Sequence, residues 1–219
     1  MASAGIEAIL AGPASALPRA VDLSAHRRLL DVGGGTGSWS IAPARAYPNL
    51  HSTVVDLPVV VGMARERVAA AALGDRVDVV AGDAMAGELP SGHDAFLLAN
   101  FVHYWSPEEN RALLARLRRT ATPGARLLLA DFWTDATHTQ PVHAALMAGE
   151  WSPISPSRHP TFPACDGLRT PSRSAVRVCS WPDHSTTTAG KPPVPRVTGW
   201  AESGGDDGDD DHRHRSGEG

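Results

Sequence analysis

The chain of 219 residues has only two cysteines, Cys165 and Cys179. Two thiols cannot build a disulfide framework or a zinc site of four cysteines, so a disulfide-rich secreted domain is excluded. No apolar run approaches the length of a transmembrane helix, and the N-terminus lacks the basic-then-apolar order of a signal peptide. These absences predict a cytoplasmic protein that has no membrane partner.

Positive charge and metal-ligand clusters are also scarce. The formal net charge is −4 at pH 7, with 20 Lys and Arg against 24 Asp and Glu. A nucleic-acid-binding domain usually carries a basic surface, so we expect no nucleic-acid partner. His138 and His143 are spaced too loosely to suggest a metal site, and none is predicted.

Residues 151–219 differ in composition from the rest of the chain. They hold half of the 18 prolines and a single leucine, Leu168, and they end in a run of Gly, Asp, His and Arg. Such a segment buries too little apolar surface to offset the entropy cost of ordering it. We therefore predict a mostly disordered tail, in which Ala175–Ser180 is the best strand candidate. The abrupt change indicates a shift of reading frame or a divergent terminus.

Upstream of this tail, short apolar runs alternate with helical patterns. The apolar runs predict strands over 28–32, 51–55, 76–80, 94–100 and 126–132. Helical spacing predicts helices over 38–47, 59–72 and 107–120. The last helix is the best marked, because Ser106 can cap it and Pro107 suits its first turn. The alternation predicts an α/β fold with a doubly wound, mainly parallel sheet.

The most informative segment is a glycine-rich turn directly after the first predicted strand. Asp31 precedes three alternating glycines, Gly33, Gly35 and Gly37. Glycine lets the backbone approach a nucleotide-like ligand closely, because no Cβ intrudes. A dinucleotide-binding fingerprint requires a glycine at position 38, where this chain has Ser38. The turn therefore predicts an adenosine-containing ligand and departs from the pattern for NAD.

Polar residues also follow the next three predicted strands, at the edge where open α/β sheets bind ligands. Asp56 lies about 20 residues beyond the turn, a spacing typical of an acid that holds ribose hydroxyls. Asp83 follows the third strand and His103 follows the fourth. Each acid has an alternative role as a turn or cap residue, and His103 has one as a half-buried structural histidine.

Together these motifs resemble those of class I S-adenosylmethionine-dependent methyltransferases, in segments 31–37, 55–58, 82–83, 100–105 and 123–124. The resemblance is greatest to small-molecule O-methyltransferases, such as plant caffeate and flavonoid enzymes and bacterial polyketide-tailoring enzymes. It covers about residues 5–150. It implies a Rossmann-like domain over 28–150 with S-adenosyl-L-methionine as cofactor, preceded by a helix or linker over 1–27.

The same resemblance implies a role for each candidate residue. Asp31 and the glycine turn would hold the methionine part of the cofactor, Asp56 the ribose, and Asp83 the edge of the adenine. The neighbours expected to complete the cofactor site are Leu57, Ala84 and Asn100. His103 falls where the family has a general base, which takes a proton from the substrate hydroxyl as the oxygen attacks. Asp131 matches a position that orients this base, with a shorter acid than the usual glutamate.

The chain departs from the family pattern in three respects. Tyr104 replaces an aspartate that many relatives have after the histidine, and the second acid that orients the base cannot be assigned. Relatives form homodimers through a helical N-terminal domain, of which 1–27 would be a remnant. Their sheets have two strands after the fifth, which this sheet is expected to lack. The edge beside 126–132 would then expose unpaired backbone.

The predicted function is methyl transfer from S-adenosyl-L-methionine to a hydroxyl of a small, aromatic molecule, without a metal. One alternative is a non-catalytic remnant that binds adenosylmethionine, which the missing terminal elements favour. Another is an NAD-dependent oxidoreductase, because both folds share the strand, turn, helix and acid. Ser38 and the downstream Asp83 and His103 argue against the oxidoreductase.

Overall fold

The computed structural model describes residues 12–133, 175–180 and 196–202. Helix α1 spans residues 12–20. The remaining helices are α2 (Ser38–Ala46), α3 (Val61–Ala70) and α4 (Pro107–Thr120), with a 3-10 turn at Val102–Tyr104. The strands are β1 (Arg28–Val32), β2 (His51–Asp56), β3 (Val77–Ala81), β4 (His93–Ala99), β5 (Ala121–Asp131), β6 (Ala175–Ser180) and β7 (Arg196–Glu202).

The seven strands form one sheet in the order β3-β2-β1-β4-β5-β6-β7. Strands β1 to β5 are parallel, whereas β6 runs antiparallel to β5 and β7 antiparallel to β6. The chain moves outward from β1 to β3 and then returns to pair β4 with β1 on its other side. This reversal opens a crevice at the carboxyl ends of β1 and β4, where sheets of this kind bind ligands. The α/β fold with a mainly parallel sheet is thus confirmed.

The expectation that the sheet lacks the strands after β5 is wrong. Strand β6 pairs with β5 along Arg126–Asp131, so the edge expected to be exposed is covered. The strand forms because its apolar side chains are buried: Val176 is 3% exposed and Cys179 is 2% exposed. The structure thus confirms the strand candidate Ala175–Ser180 and shows that it completes the sheet beside β5. Strand β7 (Arg196–Glu202) then pairs with β6, so this part of 151–219 is ordered as well. The remaining residues of 151–219 lie outside the described residues, so their disorder and the domain boundaries stay predictions.

Both faces of the central strands β1 and β4 are covered by buried apolar clusters. This packing holds the crevice at the carboxyl ends of these strands in position. Along β1, Leu29 faces the cluster that includes α1, and Leu30 faces the cluster that includes Leu113 and Leu117 of α4. This alternation follows from the two-residue period of a strand. Near-continuous apolar runs are typical of parallel strands covered by helices on both sides.

No helix within the described ranges is long and apolar enough to cross a membrane.

The start of α4 anchors the turn that follows β4. Ser106 Oγ accepts a hydrogen bond from the Glu109 amide, and Glu109 Oε2 accepts one from the Ser106 amide, at 3.2 and 2.8 Å. This capping box confirms the predicted N-terminus of the helix. One turn later, Asn110 Nδ2 donates to the carbonyls of Val102 and Trp105, at 2.8 and 3.1 Å. The 3-10 turn is therefore fastened to a helix at both of its ends.

Candidate functional site

The predicted site residues gather at the carboxyl edge of the sheet, as expected from their positions after successive strands. Asp31 lies within β1, paired with Val54 of β2 on one side and Leu97 of β4 on the other. Asp56 ends β2 and Asp131 ends β5. The edge thus presents three carboxylates from three strands that lie close together in the sheet.

The glycine turn needs its glycines for two different reasons. Gly33, Gly35 and Gly37 have φ of 67°, 56° and 81°, a left-handed backbone that other residues rarely adopt. A Cβ on Gly33 would also lie 2.2 Å from the ring of Phe101, and a Cβ on Gly34 would lie 2.7 Å from Asp31 Cγ. At Gly35, by contrast, nothing lies within 4 Å of such an atom. Gly33 and Gly34 therefore admit close packing, whereas Gly35 faces open space at the site.

Gly34 and Phe101 contribute to the site without having been predicted to do so. Gly34 stands between the alternating glycines and was not selected, although three consecutive glycines were a visible signal. Phe101 lies within the motif segment 100–105 but had no predicted role, because its contact with Gly33 joins the segment after β4 to the turn after β1. Its ring centroid also lies 5.9 Å from that of Trp105. Phe101 thus connects the glycine turn to the segment that carries His103.

We expect Gly33→Ala to be more destabilising than Gly35→Ala. Both substitutions place a Cβ on a left-handed residue, at a cost of about 1–2 kcal/mol. Gly33→Ala also collides with Phe101, and overpacking of this kind adds about 1–3 kcal/mol. Urea unfolding of both variants measures the difference, which should shrink when the same two substitutions are compared in a Phe101→Ala background, because the clashing ring is then absent. Equal losses for the two alanine variants would contradict the packing role of Gly33.

Asp31 is an ionisable side chain placed in the core. It is 0% exposed, and Ser40 Oγ donates a 2.8 Å hydrogen bond to its Oδ2. Within the part of the chain that the structure describes, its Oδ1 has no hydrogen-bond partner. Burial raises the pKa of Asp31 to about 7, against the lowering effect of Ser40 and with a small further rise from Asp56. A cationic ligand beside Oδ1 would favour the ionised carboxylate and supply the missing partner.

Asp56 connects the end of β2 to the glycine turn. Its Oδ2 accepts a 2.7 Å hydrogen bond from the Gly35 amide, and its Oδ1 accepts a 2.7 Å bond from the Leu57 amide. Each carboxylate oxygen has a second lone pair, so Asp56 can still accept from ligand hydroxyls. The Leu57 side chain next to it is 46% exposed and offers an apolar surface.

Asp83 lies in an exposed turn after β3 and contacts its own neighbours. Its Oδ1 accepts hydrogen bonds from the amides of Met85 and Ala86, at 2.7 and 3.3 Å. The predicted neighbour Ala84 is only 7% exposed and packs in the apolar core. The Ala84 side chain therefore anchors the turn in the apolar core. Asp31 and Asp56 each contact the glycine turn. The turn that contains Asp83 is joined to Asp56 through the backbone, because the Gly82 amide donates to the Asp56 carbonyl at 2.9 Å.

His103 and Asp131 form a closely packed pair. His103 Nδ1 lies 2.9 Å from Asp131 Oδ1 and 3.1 Å from Oδ2, and the two side chains are 8% and 1% exposed. A carboxylate only accepts hydrogen bonds, so Nδ1 is the donor and carries a proton. In neutral imidazole Nε2 is then the basic nitrogen. This geometry fits a general base held by an acid that stabilises the imidazolium.

Two neighbours complete the surroundings of this pair. The Tyr104 ring centroid lies 4.1 Å from that of His103, and the Tyr104 side chain is 43% exposed. Burial, together with the Asp131 charge, raises the pKa of Tyr104. Asn100 precedes this segment and has φ 51°. Its backbone N–H donates a 2.7 Å hydrogen bond to the Ala130 carbonyl. Asparagine tolerates this left-handed conformation better than most residues do.

The arrangement can hold a cationic, hydroxyl-bearing ligand and remove a proton beside it. The buried carboxylate of Asp31 can pair with a cation, the carboxylate of Asp56 can accept hydrogen bonds from hydroxyls, and the imidazole of His103 can accept a proton. Across residues 12–133, 175–180 and 196–202, no group of three or more His, Cys, Asp or Glu side chains could hold a metal ion.

Comparison with known proteins places this geometry in a family. A family model described as an O-methyltransferase domain matches residues 9–151. Among curated relatives, the chain is similar to a 3-hydroxy-5-methyl-1-naphthoate 3-O-methyltransferase of Streptomyces sahachiroi, with 45% identity over 132 residues, 60% of this chain and 38% of the relative. It is also similar to an L-tyrosine C(3)-methyltransferase of Streptomyces lavendulae, with 35% identity over 130 residues, 59% of this chain and 36% of the relative.

Solved structures give the same result. The chain is similar to the S-adenosylmethionine-dependent methyltransferase SibL in its apo form, with a TM-score of 0.61 and 38% identity. That match covers 65% of this chain and 42% of SibL. The chain therefore spans less than half the length of each of these three proteins.

Proposed function

Because this chain belongs to the O-methyltransferase domain family, we propose that it binds S-adenosyl-L-methionine and transfers its methyl group to a hydroxyl of a small molecule. The His103–Asp131 pair carries this proposal, with Nδ1 2.9 Å from Oδ1 at the carboxyl edge of the sheet. The proposal concerns this chain, which covers only part of each relative.

The residues at the edge of the sheet fit this cofactor. S-adenosyl-L-methionine supplies a methyl group activated by a sulfonium, and it also bears an ammonium group. The buried Oδ1 of Asp31, which has no hydrogen-bond partner in the described part of the chain, suits this cationic methionine part. Asp56 would accept from the ribose hydroxyls, and Gly35 leaves the space beside it open. Leu57, Asp83, the backbone at Ala84, and Asn100 complete the proposed cofactor site.

The chain's own contribution to the reaction is proton removal and orientation. A phenol or alcohol is a poor nucleophile while protonated, so His103 Nε2 takes the hydroxyl proton as the oxygen attacks. Asp131 holds the imidazole by Nδ1 and stabilises the imidazolium that forms. Alignment of the attacking oxygen with the methyl group supplies much of the remaining rate enhancement.

An aromatic hydroxyl is the acceptor class that the site favours. The exposed Tyr104 ring lies against His103, so an aromatic acceptor could pack beside the base. Two of the relatives are named for transfer to an oxygen of a hydroxynaphthoate and to a carbon of tyrosine, both of which contain a phenol ring. A general base serves either acceptor atom, because a phenolate is activated at both its oxygen and its ring carbons.

Methyl transfer from labelled S-adenosyl-L-methionine to a panel of phenols, aliphatic alcohols and amines tests the proposal. We expect O-methylated phenols as products, identified by mass spectrometry. Methylated amines alone would contradict the role of His103 as a base for hydroxyls. Cofactor binding with no transfer to any acceptor would favour the alternative of a non-catalytic binding protein.

Asp56→Ala is expected to weaken binding of S-adenosylhomocysteine by about 10–100-fold, because hydrogen bonds to a charged group contribute about 1.5–3 kcal/mol. Asp78→Ala is the matched control, since Asp78 is an exposed acid on neighbouring β3. Calorimetric titration of both variants measures the effect, and thermal melts check that both are folded. Unchanged affinity in a folded Asp56→Ala variant would rule out the ribose role.

A further inference from the structure

Arg116 of α4 holds the turn that contains Asp83 by three backbone carbonyls. Its Nη1 donates to the carbonyls of Ala84 and Met85, at 2.7 and 2.6 Å, and its Nη2 donates to the carbonyl of Gly87. These partners lie about 30 residues earlier in the chain, so the contact joins two separate elements at the site. Sequence analysis gave no sign of it.

The turn itself is closed by short-range contacts. The Gly87 amide donates to the Asp83 carbonyl at 2.7 Å, while Asp83 Oδ1 accepts from the Met85 amide at 2.7 Å. A Cβ on Gly87 would lie 2.9 Å from the Asp83 carbonyl oxygen, so the turn closes this tightly only with glycine there. The buried Ala84 side chain fixes one point of the turn in the core. Arg116 then fixes the direction of its carbonyls.

The partners of Arg116 indicate a positioning role. Among the described residues, its hydrogen bonds go to carbonyl oxygens of one turn and to no carboxylate. A guanidinium has five donors in a rigid planar fork, which suits several fixed acceptors at once. A carbonyl held in this way is turned toward α4, and the Asp83 side chain is left at the exposed side of the turn.

We propose that Arg116 is a positioning residue for nucleobase recognition, which orients the turn of residues 83–87 so that Asp83 faces the adenine. The inference rests on the proposed cofactor. A carboxylate accepts from the exocyclic amino group of adenine, whereas hypoxanthine presents a carbonyl at that position and repels it. Selectivity for adenine over hypoxanthine therefore reports the orientation of Asp83, and Arg116 controls that selectivity without touching the base.

The test is calorimetric titration of the full chain with S-adenosylhomocysteine and S-inosylhomocysteine. We expect the unaltered chain to prefer the adenine ligand by about tenfold or more, the equivalent of one hydrogen bond to a charged group. Arg116→Ala should reduce the ratio of the two affinities to less than about threefold, mainly by weakening the binding of S-adenosylhomocysteine. Arg116→Lys retains the charge but reaches fewer carbonyls, so it should give an intermediate ratio.

Arg111→Ala is the matched control, because Arg111 lies on the same helix and is paired only with exposed Glu108 in the described structure. It should leave the ratio unchanged. Hydrogen exchange without ligand should quicken at residues 84–87 in both Arg116 variants and stay unchanged in Arg111→Ala.

Each contrary outcome is distinguishable. Equal weakening of both ligands in the Arg116 variants would assign Arg116 a purely structural role and overturn the inference. A preserved ratio, or an unaltered chain that binds both ligands equally, would overturn it as well. An unaltered chain that binds neither ligand would instead overturn the proposed function on which the inference rests.

Discussion

Replacing His103 with alanine is expected to lower the rate constant for methyl transfer to a phenol by about 10²–10⁴-fold, the usual contribution of a general base. Binding of S-adenosylhomocysteine should stay within about twofold of the unaltered chain, because His103 is proposed to act on the acceptor and not on the cofactor. Single-turnover kinetics with labelled cofactor separates these two quantities.

Because His103 is proposed to remove a proton, the loss of rate in His103→Ala should depend on the acidity of the acceptor phenol. An acceptor phenol that is already ionised at the assay pH needs no base, so the loss should shrink steeply as the acceptor becomes more acidic. A loss that is the same for ionised and protonated phenols would contradict general-base catalysis and would favour a role in positioning.

Asp131→Asn provides the matched comparison. An amide can present its NH₂ or its oxygen to Nδ1, so the variant no longer enforces the tautomer in which Nε2 is basic. Because His103 and Asp131 act as one unit, the double variant should be little slower than His103→Ala alone. Additive losses would show that the two residues contribute independently.

Asp31→Asn is expected to raise stability and weaken cofactor binding at the same time. Burial raises the pKa of Asp31 to about 7 from its ordinary value of 3.8. Between these two values the native state keeps a proton that the unfolded chain releases, so stability falls as the pH rises through this window. Above pH 7 the native carboxylate is ionised as well, and the lost stability is not regained.

Asparagine cannot ionise, so this variant escapes that loss. The stabilisation of Asp31→Asn relative to the unaltered chain should be absent near pH 4 and reach at most the order of 4 kcal/mol above pH 7. Chemical unfolding across this pH range measures it. Affinity for S-adenosyl-L-methionine should fall by about tenfold or more, because a neutral amide no longer pairs with a cation. A destabilised variant at pH 8, or one with unchanged affinity, would contradict the role assigned to Asp31.

Most of the fold was predictable because its signals are local. Strands β1, β2 and β4 are buried apolar runs bounded by turn residues, and α4 is marked by Ser106 and a regular apolar spacing. The last two strands are the exception. The local pattern predicts a strand at Ala175–Ser180, which the structure confirms as β6, but not its pairing with β5, which lies more than 40 residues earlier. Strand β7 was not predicted at all.

The site residues also divide into those with a local sequence signal and those whose roles depend on distant contacts. The Asp31 turn, Asp56 and His103 could be selected as candidate site residues because each lies at the end of a strand or directly after one. Phe101 and Arg116 were missed because their roles come from contacts with segments that are distant in sequence. The burial of Ala84 was missed for the same reason, since the core that covers it is built from β4, β5 and α4.

The carboxyl edge of this sheet is proposed as the site for S-adenosyl-L-methionine. Calorimetric titration of the full chain with S-adenosylhomocysteine and, separately, with NAD tests it most directly. The site described above predicts one-to-one binding of S-adenosylhomocysteine in the micromolar range and no measurable heat with NAD. Binding of NAD alone, or of neither ligand to a folded chain, would contradict it.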